Sequence, residues 1–282
     1  FNVTGSTLTS IPALVWDTVS DGASITAGNG TWDATTANWN NGTSSVVWGN
    51  TASTNALLSK SGGIYTVTIG ADALSADQVI FAGTSLPILQ GSYANLTANK
   101  VQVNTTGSGK LALNVAGSLS NVAAFSLGTE GSIYLTQGHI INAAVTLSGN
   151  GNTENRGALR VDDNSKVQGT ISLTADSNFG SSSSTGYIES VVSGDYAFNQ
   201  ASTSPGTIVL SGDNTYTGGT SMTTGIVKAG HDHAFGTGLL QASGGKLSSD
   251  STTDRTFNQP ALIAGSVTLG DSTNTGKLTF KN

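Results

Sequence analysis

Few side chains in this 282-residue chain are able to do chemistry, and their spacing limits what each could do. The most suggestive group is His231-Asp232-His233. On an extended segment, His-x-His turns both imidazoles to one side, as a metal site requires. Asp232 would then point the other way, no third ligand lies near in sequence, and the triplet falls in a polar turn between Ala229-Gly230 and Ala234-Phe235-Gly236. Asp162-Asp163-Asn164 offers oxygens to Ca²⁺, but the ligand spacing of an EF-hand or a Gly-rich nonapeptide repeat is absent, so it reads as a solvated turn. Gly270-Asp271-Ser272 looks like a serine-hydrolase fragment, yet Thr273-Asn274 follows and no elbow surrounds it. Neither His139, His231 nor His233 has local support as its base. The glutamates are Glu130, Glu154 and Glu189. Glu130 and Glu154 stand roughly one solenoid repeat apart and could meet as a glycan-cleaving carboxylate pair. Asn2-Val3-Thr4, Asn29-Gly30-Thr31, Asn41-Gly42-Thr43, Asn95-Leu96-Thr97 and Asn104-Thr105-Thr106 match the N-glycosylation pattern, as chance would produce in so Asn- and Thr-rich a chain. No catalytic, cofactor-binding or metal-binding residue is assigned, no cofactor is expected, and the chain is read as not an enzyme.

Composition narrows the elements that could carry these groups. Only 10% of residues are charged, against a usual quarter, so Ser, Thr, Asn and Gly must form the polar surface. Those residues favour strands and turns over helix interiors. The net charge of −6 argues against nucleic acid or an anionic membrane as partner. With no cysteine there is no disulfide framework, thiol nucleophile or thiolate metal site. No apolar run is long enough to span a bilayer as a helix. The chain begins with Phe1, carries no signal-peptide pattern, and reads as a mature or excised piece of something longer.

Alternating runs fill the chain. Tyr65, Val67 and Ile69 share a face, as do Leu111, Leu113 and Val115, and the pattern continues through Ile171 and Leu173 to Val267 and Leu269 and to Leu278 and Phe280. Period-two alternation buries one face and wets the other. The runs resemble one another, with an apolar-x-Leu core closed by small residues. Leu113 to Leu135, Leu135 to Leu159 and Leu147 to Leu173 recur at roughly 22 to 26 residues, a solenoid period. If about 200 residues form coils of about 24, there are roughly eight rungs, a stack on the order of 40 Å long. Residues 1–50 hold all four tryptophans, Trp16, Trp32, Trp39 and Trp48, and read as a cap closing the solenoid end, with a glycan-stacking platform as the alternative.

Two segments carry a family resemblance. Leu210-Ser211-Gly212-Asp213-Asn214-Thr215-Tyr216-Thr217-Gly218-Gly219-Thr220, then Gly225-Ile226-Val227-Lys228-Ala229-Gly230 and Ala234-Phe235-Gly236-Thr237-Gly238, resembles the passenger-associated transport repeat of autotransporters. Phe235 stands where that repeat usually has Leu. The Gly-x-Trp…Asn-Trp…Trp stretch from Gly30 to Trp48 is similar to segments beside such repeats in large bacterial surface proteins. Within the repeat, Asn214 and Gly218-Gly219 suit tight turns of positive φ, and Thr215, Thr217 and Thr220 suit a hydroxyl ladder. The resemblance implies a right-handed parallel β-helix, secretion across the outer membrane and a surface role.

The expected protein is thus all-β: a Trp-rich cap or strand-adding segment (residues 1–50) followed by a β-solenoid (residues 51–282). It is expected outside the cell or on a bacterial surface, mediating adhesion or self-association. Its expected partners are copies of itself, or host and matrix glycans or proteins, with no membrane insertion by this segment. A head-to-tail filament subunit is the first alternative, since Phe1 to Ser10 could add as a strand to a neighbour and the pattern stops unfinished at Asn282. A polysaccharide-degrading β-helix is the second.

Overall fold

The computed structural model describes residues 13–19, 25–201 and 203–282. The strand-adding reading of Phe1 to Ser10 and the Asn2 sequon lie outside the described residues.

The alternating runs become short parallel strands, because each buries every second side chain and satisfies its backbone only against a neighbouring run. A ten-stranded first sheet runs from Ser45–Val46 at one edge through Asn55–Lys60, Leu74–Gly83 and Leu96–Thr105 to Val192–Ser193 at the other. An eight-stranded second sheet runs from Gly30–Trp32 to Phe198–Gln200, and an eight-stranded third sheet from Gly117–Ser118 to Thr268–Leu269. Backbone bonds extend the second sheet's line onward, with the Phe198 amide donating to the Gly219 carbonyl at 3.0 Å. The result is the expected parallel β-solenoid, with about ten turns. Its coils are not uniform. From Asn55 to Thr105 the chain alternates between the first two sheets only, and the third wall opens at Gly117–Ser118.

Register follows the predicted repeat in part. Leu113 pairs with Leu135 and Leu147 with Leu173, as expected. Leu135 instead faces Val161, while Ile133 faces Leu159, an even offset that keeps the same faces inward. Coil length varies along the stack, from the short step that pairs Thr207 with Ile226 to the long one that pairs Ile133 with Leu159. The shorter later coils fit more turns than the sequence repeat predicts.

Tyr65, Val67 and Ile69 are buried together, as are Leu111 and Leu113. Each fully buried side chain of this size contributes about 1.5–3 kcal/mol. Aromatic rings stack through the interior, Phe179 on Phe198 at 4.6 Å and Phe198 edge-on to Tyr216 at 5.9 Å. Leu269 departs from the expected buried face. It is 50% exposed, because its strand is the outermost of the third sheet.

The four tryptophans pack into one cluster, with successive ring centroids 4.6–5.1 Å apart. All four are buried, so none offers a ring face to a glycan. Trp16 pairs antiparallel with Trp39 and Trp39 with Val46, covering the edge of an otherwise parallel sheet. Ala13 to Val15 and Gly30 to Trp32 already pair in parallel with Asn55 to Leu57 and Val67 to Ile69, so this segment shares the solenoid's sheets.

Candidate functional site

The turns that join the first sheet to the second stack along one corner. Asn104-Thr105-Thr106, Thr129-Glu130, Ser148 to Gly151, Ala175-Asp176 and Tyr196 come from five successive coils and line a continuous groove. Its wider part is about 500 Å³ and an adjoining part about 260 Å³, the two sharing Thr129 and Glu130. Four coil steps make the groove roughly 19 Å long.

Local chemistry positions its polar groups. Glu130 accepts the Gly107 amide at 2.8 Å, and Asp176 accepts the Ala197 amide at 2.9 Å through Oδ1. Each carboxylate therefore spans two coils through a backbone bond and keeps further lone pairs for a ligand. Tyr196 is 43% exposed and provides the groove's aromatic surface. The loop between Ser148 and Ala158 is long because it folds back: Asn152 donates to the Ser108 and Gly109 carbonyls, each at 3.2 Å, and Thr153 to Gly107 at 2.8 Å.

Glu154, on that loop, bonds Lys110 and lies 3.9 Å from Arg160. It is engaged with cations while Glu130 holds Gly107, so the two expected partners are committed separately. Glu189 accepts from Lys166 at 2.8 Å and Gln168 at 2.7 Å. Burial alone would raise its carboxyl, but these bonds and the lysine charge hold it below the usual range.

Asp162 is not solvated. It is 2% exposed and accepts from Ser181 at 2.5 Å, from the Ser182 amide and hydroxyl at 2.8 Å each, and from Arg160 at 3.0 Å. Its burial, which would raise the pKa, is outweighed by these serines and by the Arg160 charge. The turn is made by Asp163 and Asn164, both at positive φ. Asp271 accepts from Lys246 at 2.8 Å and from the Thr273 amide at 3.0 Å, and the lysine bond is the larger reason its carboxyl lies well below the usual range. Gly270-Asp271-Ser272 is thus a pinned turn.

His139 is fully buried. Its Nδ1 lies 3.1 Å from the Val115 carbonyl, its ring is edge-on to Tyr93 at 4.9 Å, and burial pulls its pKa down to about 4.

His231 and His233 gain a carboxylate neighbour that sequence spacing hid. The segment is a turn: the Ala234 amide donates to the His231 carbonyl at 3.2 Å and the Gly236 amide to that of His233 at 3.0 Å. Asp232 holds the Thr256 amide of the next coil at 3.0 Å. Asp213, one coil earlier, has its carboxylate 2.6 Å from His233 Nδ1 and 3.7 Å from His231 Nδ1. The His233 bond is the main cause of its lowered pKa.

The repeat-like segment works differently from its turn-based reading. Asn214 is buried and has no positive φ. Its Oδ1 accepts the Val192 amide at 2.8 Å, and its Nδ2 donates to the Ala234 carbonyl at 2.7 Å. Of the two glycines only Gly219 has positive φ, +89°. Gly218 is needed for close approach, since a Cβ there would lie 2.2 Å from the Tyr196 carbonyl carbon. No hydroxyl ladder forms: Thr220 bonds Tyr216 in its own coil, and Thr217 reaches Asp195 at 3.4 Å.

Among curated proteins, the chain is similar to the adhesin BmaC autotransporter of Brucella suis biovar 1 (strain 1330), 28% identical over 192 residues. The chain fits an autotransporter passenger domain. The matched stretch is 67% of this chain and 5% of the relative, so the chain spans a small fraction of the adhesin's length. The expectation of an autotransporter passenger is borne out by this match and by the coil stack. No protein-family profile matches the chain. No solved structure matches it.

Proposed function

We propose that this chain is part of a surface-displayed autotransporter passenger and that its solenoid wall works in adhesion. The likeness to an autotransporter adhesin, joined to a solenoid wall of low charge, is the observation that carries the reading. The corner groove from Asn104 to Tyr196 is the proposed contact. Its length suits an extended ligand that crosses several coils. Glu130 and Asp176 disfavour an anion and accept hydroxyls, and Tyr196 supplies an apolar face, a combination suited to a neutral, hydroxyl-rich glycan. The wall itself is held by backbone ladders, so the groove is pre-formed and costs little to order on binding.

Beads coated with the 282-residue chain test the reading against a glycan panel and host cells, with albumin-coated beads as reference. Adhesion above albumin, competed by a neutral oligosaccharide and lowered at least tenfold by Tyr196→Ala with Glu130→Ala, is the expected result. Adhesion no better than albumin refutes the adhesive role. Adhesion unchanged by the double substitution refutes the groove.

A further inference from the structure

We infer that Asp213, His231 and His233 form a binding site for a first-row divalent transition-metal ion, with zinc the probe of choice. One ring nitrogen from each histidine and one carboxylate oxygen lie within 4.8 Å of one another. A zinc ion with bonds of about 2.0–2.2 Å needs tetrahedral ligands about 3.4 Å apart, within a small side-chain adjustment of the observed 2.6 and 3.7 Å contacts to Asp213. His231, His233 and Asp213 are 38%, 46% and 62% exposed, so the ion has an open approach, and His231 Nδ1 ligates by giving up its bond from the His233 amide at 3.1 Å. Two imidazoles with one carboxylate suit zinc, copper or nickel. Calcium and magnesium would demand more oxygens than the site holds.

The backbone explains why the three converge. The turn from His231 to Gly236 projects both rings towards the preceding coil, and Asp213 occupies the equivalent corner there. Asp232 is removed from the ligand set by its bond to Thr256. Exposed pairs of this kind add little to stability, so the cluster is not needed to hold the turn. Three ligands leave a fourth position for water. The ion would tie two consecutive coils together within the passenger-like repeat, and only the state with both coils formed presents all three ligands.

Isothermal titration of the untagged 282-residue chain with zinc chloride tests the site. One zinc per chain at micromolar affinity is expected, together with slower hydrogen exchange of the Leu210 and His231 coils when zinc is present. His231→Ala, His233→Ala and Asp213→Ala should each weaken binding at least tenfold with an unchanged far-ultraviolet dichroism spectrum, while Asp232→Ala should bind as the parent does. No saturable binding below millimolar zinc overturns the inference. So does parent-like affinity in the three ligand variants. Loss in Asp232→Ala equal to that in Asp213→Ala overturns the cross-coil ligand set.

Discussion

Asn214→Ala is the most direct test of how the coils are joined. The Asn214 side chain links three consecutive coils, accepting from Val192 at 2.8 Å on one side and donating to Ala234 at 2.7 Å on the other, with 1% exposure. Alanine leaves a buried N–H and a buried C=O without partners. Each orphan costs about 1–3 kcal/mol, so the loss should be roughly 2–6 kcal/mol. In a stack where each coil touches only its neighbours, the damage should stay local. Urea unfolding followed by hydrogen exchange reads both quantities. The amides of Thr215, Gly230 and their sheet neighbours should lose protection, while those of the coil from Ile64 to Ile69 keep theirs. Asn199→Ala is the control: its Oδ1 accepts the Ser221 amide at 2.8 Å from a half-buried position that water can replace, a loss of under about 1 kcal/mol. If Asn214→Ala costs no more than Asn199→Ala, the bridging argument fails.

Three further outcomes follow from the packing. Gly218→Ala should unfold the coil around Tyr196, because the new Cβ would sit 2.2 Å from backbone; urea midpoints should fall further than for Gly270→Ala, which meets nothing within 4 Å and suffers only positive-φ strain. Trp39→Ala should cost about 3–5 kcal/mol by opening a cavity among the other three rings, seen as loss of near-ultraviolet dichroism and a red-shifted tryptophan fluorescence. His139 is held neutral in the folded chain, with its pKa down from the ordinary 6.5 to about 4. Its stabilisation is therefore complete above pH 6.5 and falls as the pH drops towards 4, by on the order of 3 kcal/mol, as the unfolded chain takes the proton first. His139→Gln should flatten that slope in urea midpoints measured between about pH 4.5 and 7.5.

Alternation made the solenoid legible. Tyr65, Val67 and Ile69 point inward because strand geometry leaves no other choice, and Leu113 meets Leu135 because one full coil carries the chain from the first to the second. The aromatic content of the repeat was legible too: Phe235, in place of the usual Leu, packs against Phe257 at 5.2 Å in the core. The polar residues were not legible in the same way. Asn214 has a turn former's composition, yet a buried amide that meets both neighbouring coils has no local signature at all. Asp162 likewise reads as solvated until Ser181 and Ser182, a coil later, close over it.

The missing information was the length of each coil. A side chain on the outer wall meets whatever stands one coil away, and that step is short where Thr207 pairs with Ile226 and long where Ile133 pairs with Leu159. A single averaged period joins Glu130 to Glu154, but the coil there is longer than the average, and the long loop carries Glu154 to Lys110 instead. Near the histidines the coils are short, taking Thr207 to Ile226 and Ile226 to Lys246, which is what brings Asp213 to His233. Inner-face apolar runs reveal the local period, because burial ties them to one register. Applying that local period to the outer face, in place of an average one, turns a pair of histidines into a three-ligand cluster and a scatter of turn residues into a groove. The zinc titration therefore tests more than one site: binding lost with Asp213, a full coil before His233, and kept without Asp232, beside it, would show that coil length decides which polar residues act together in this chain.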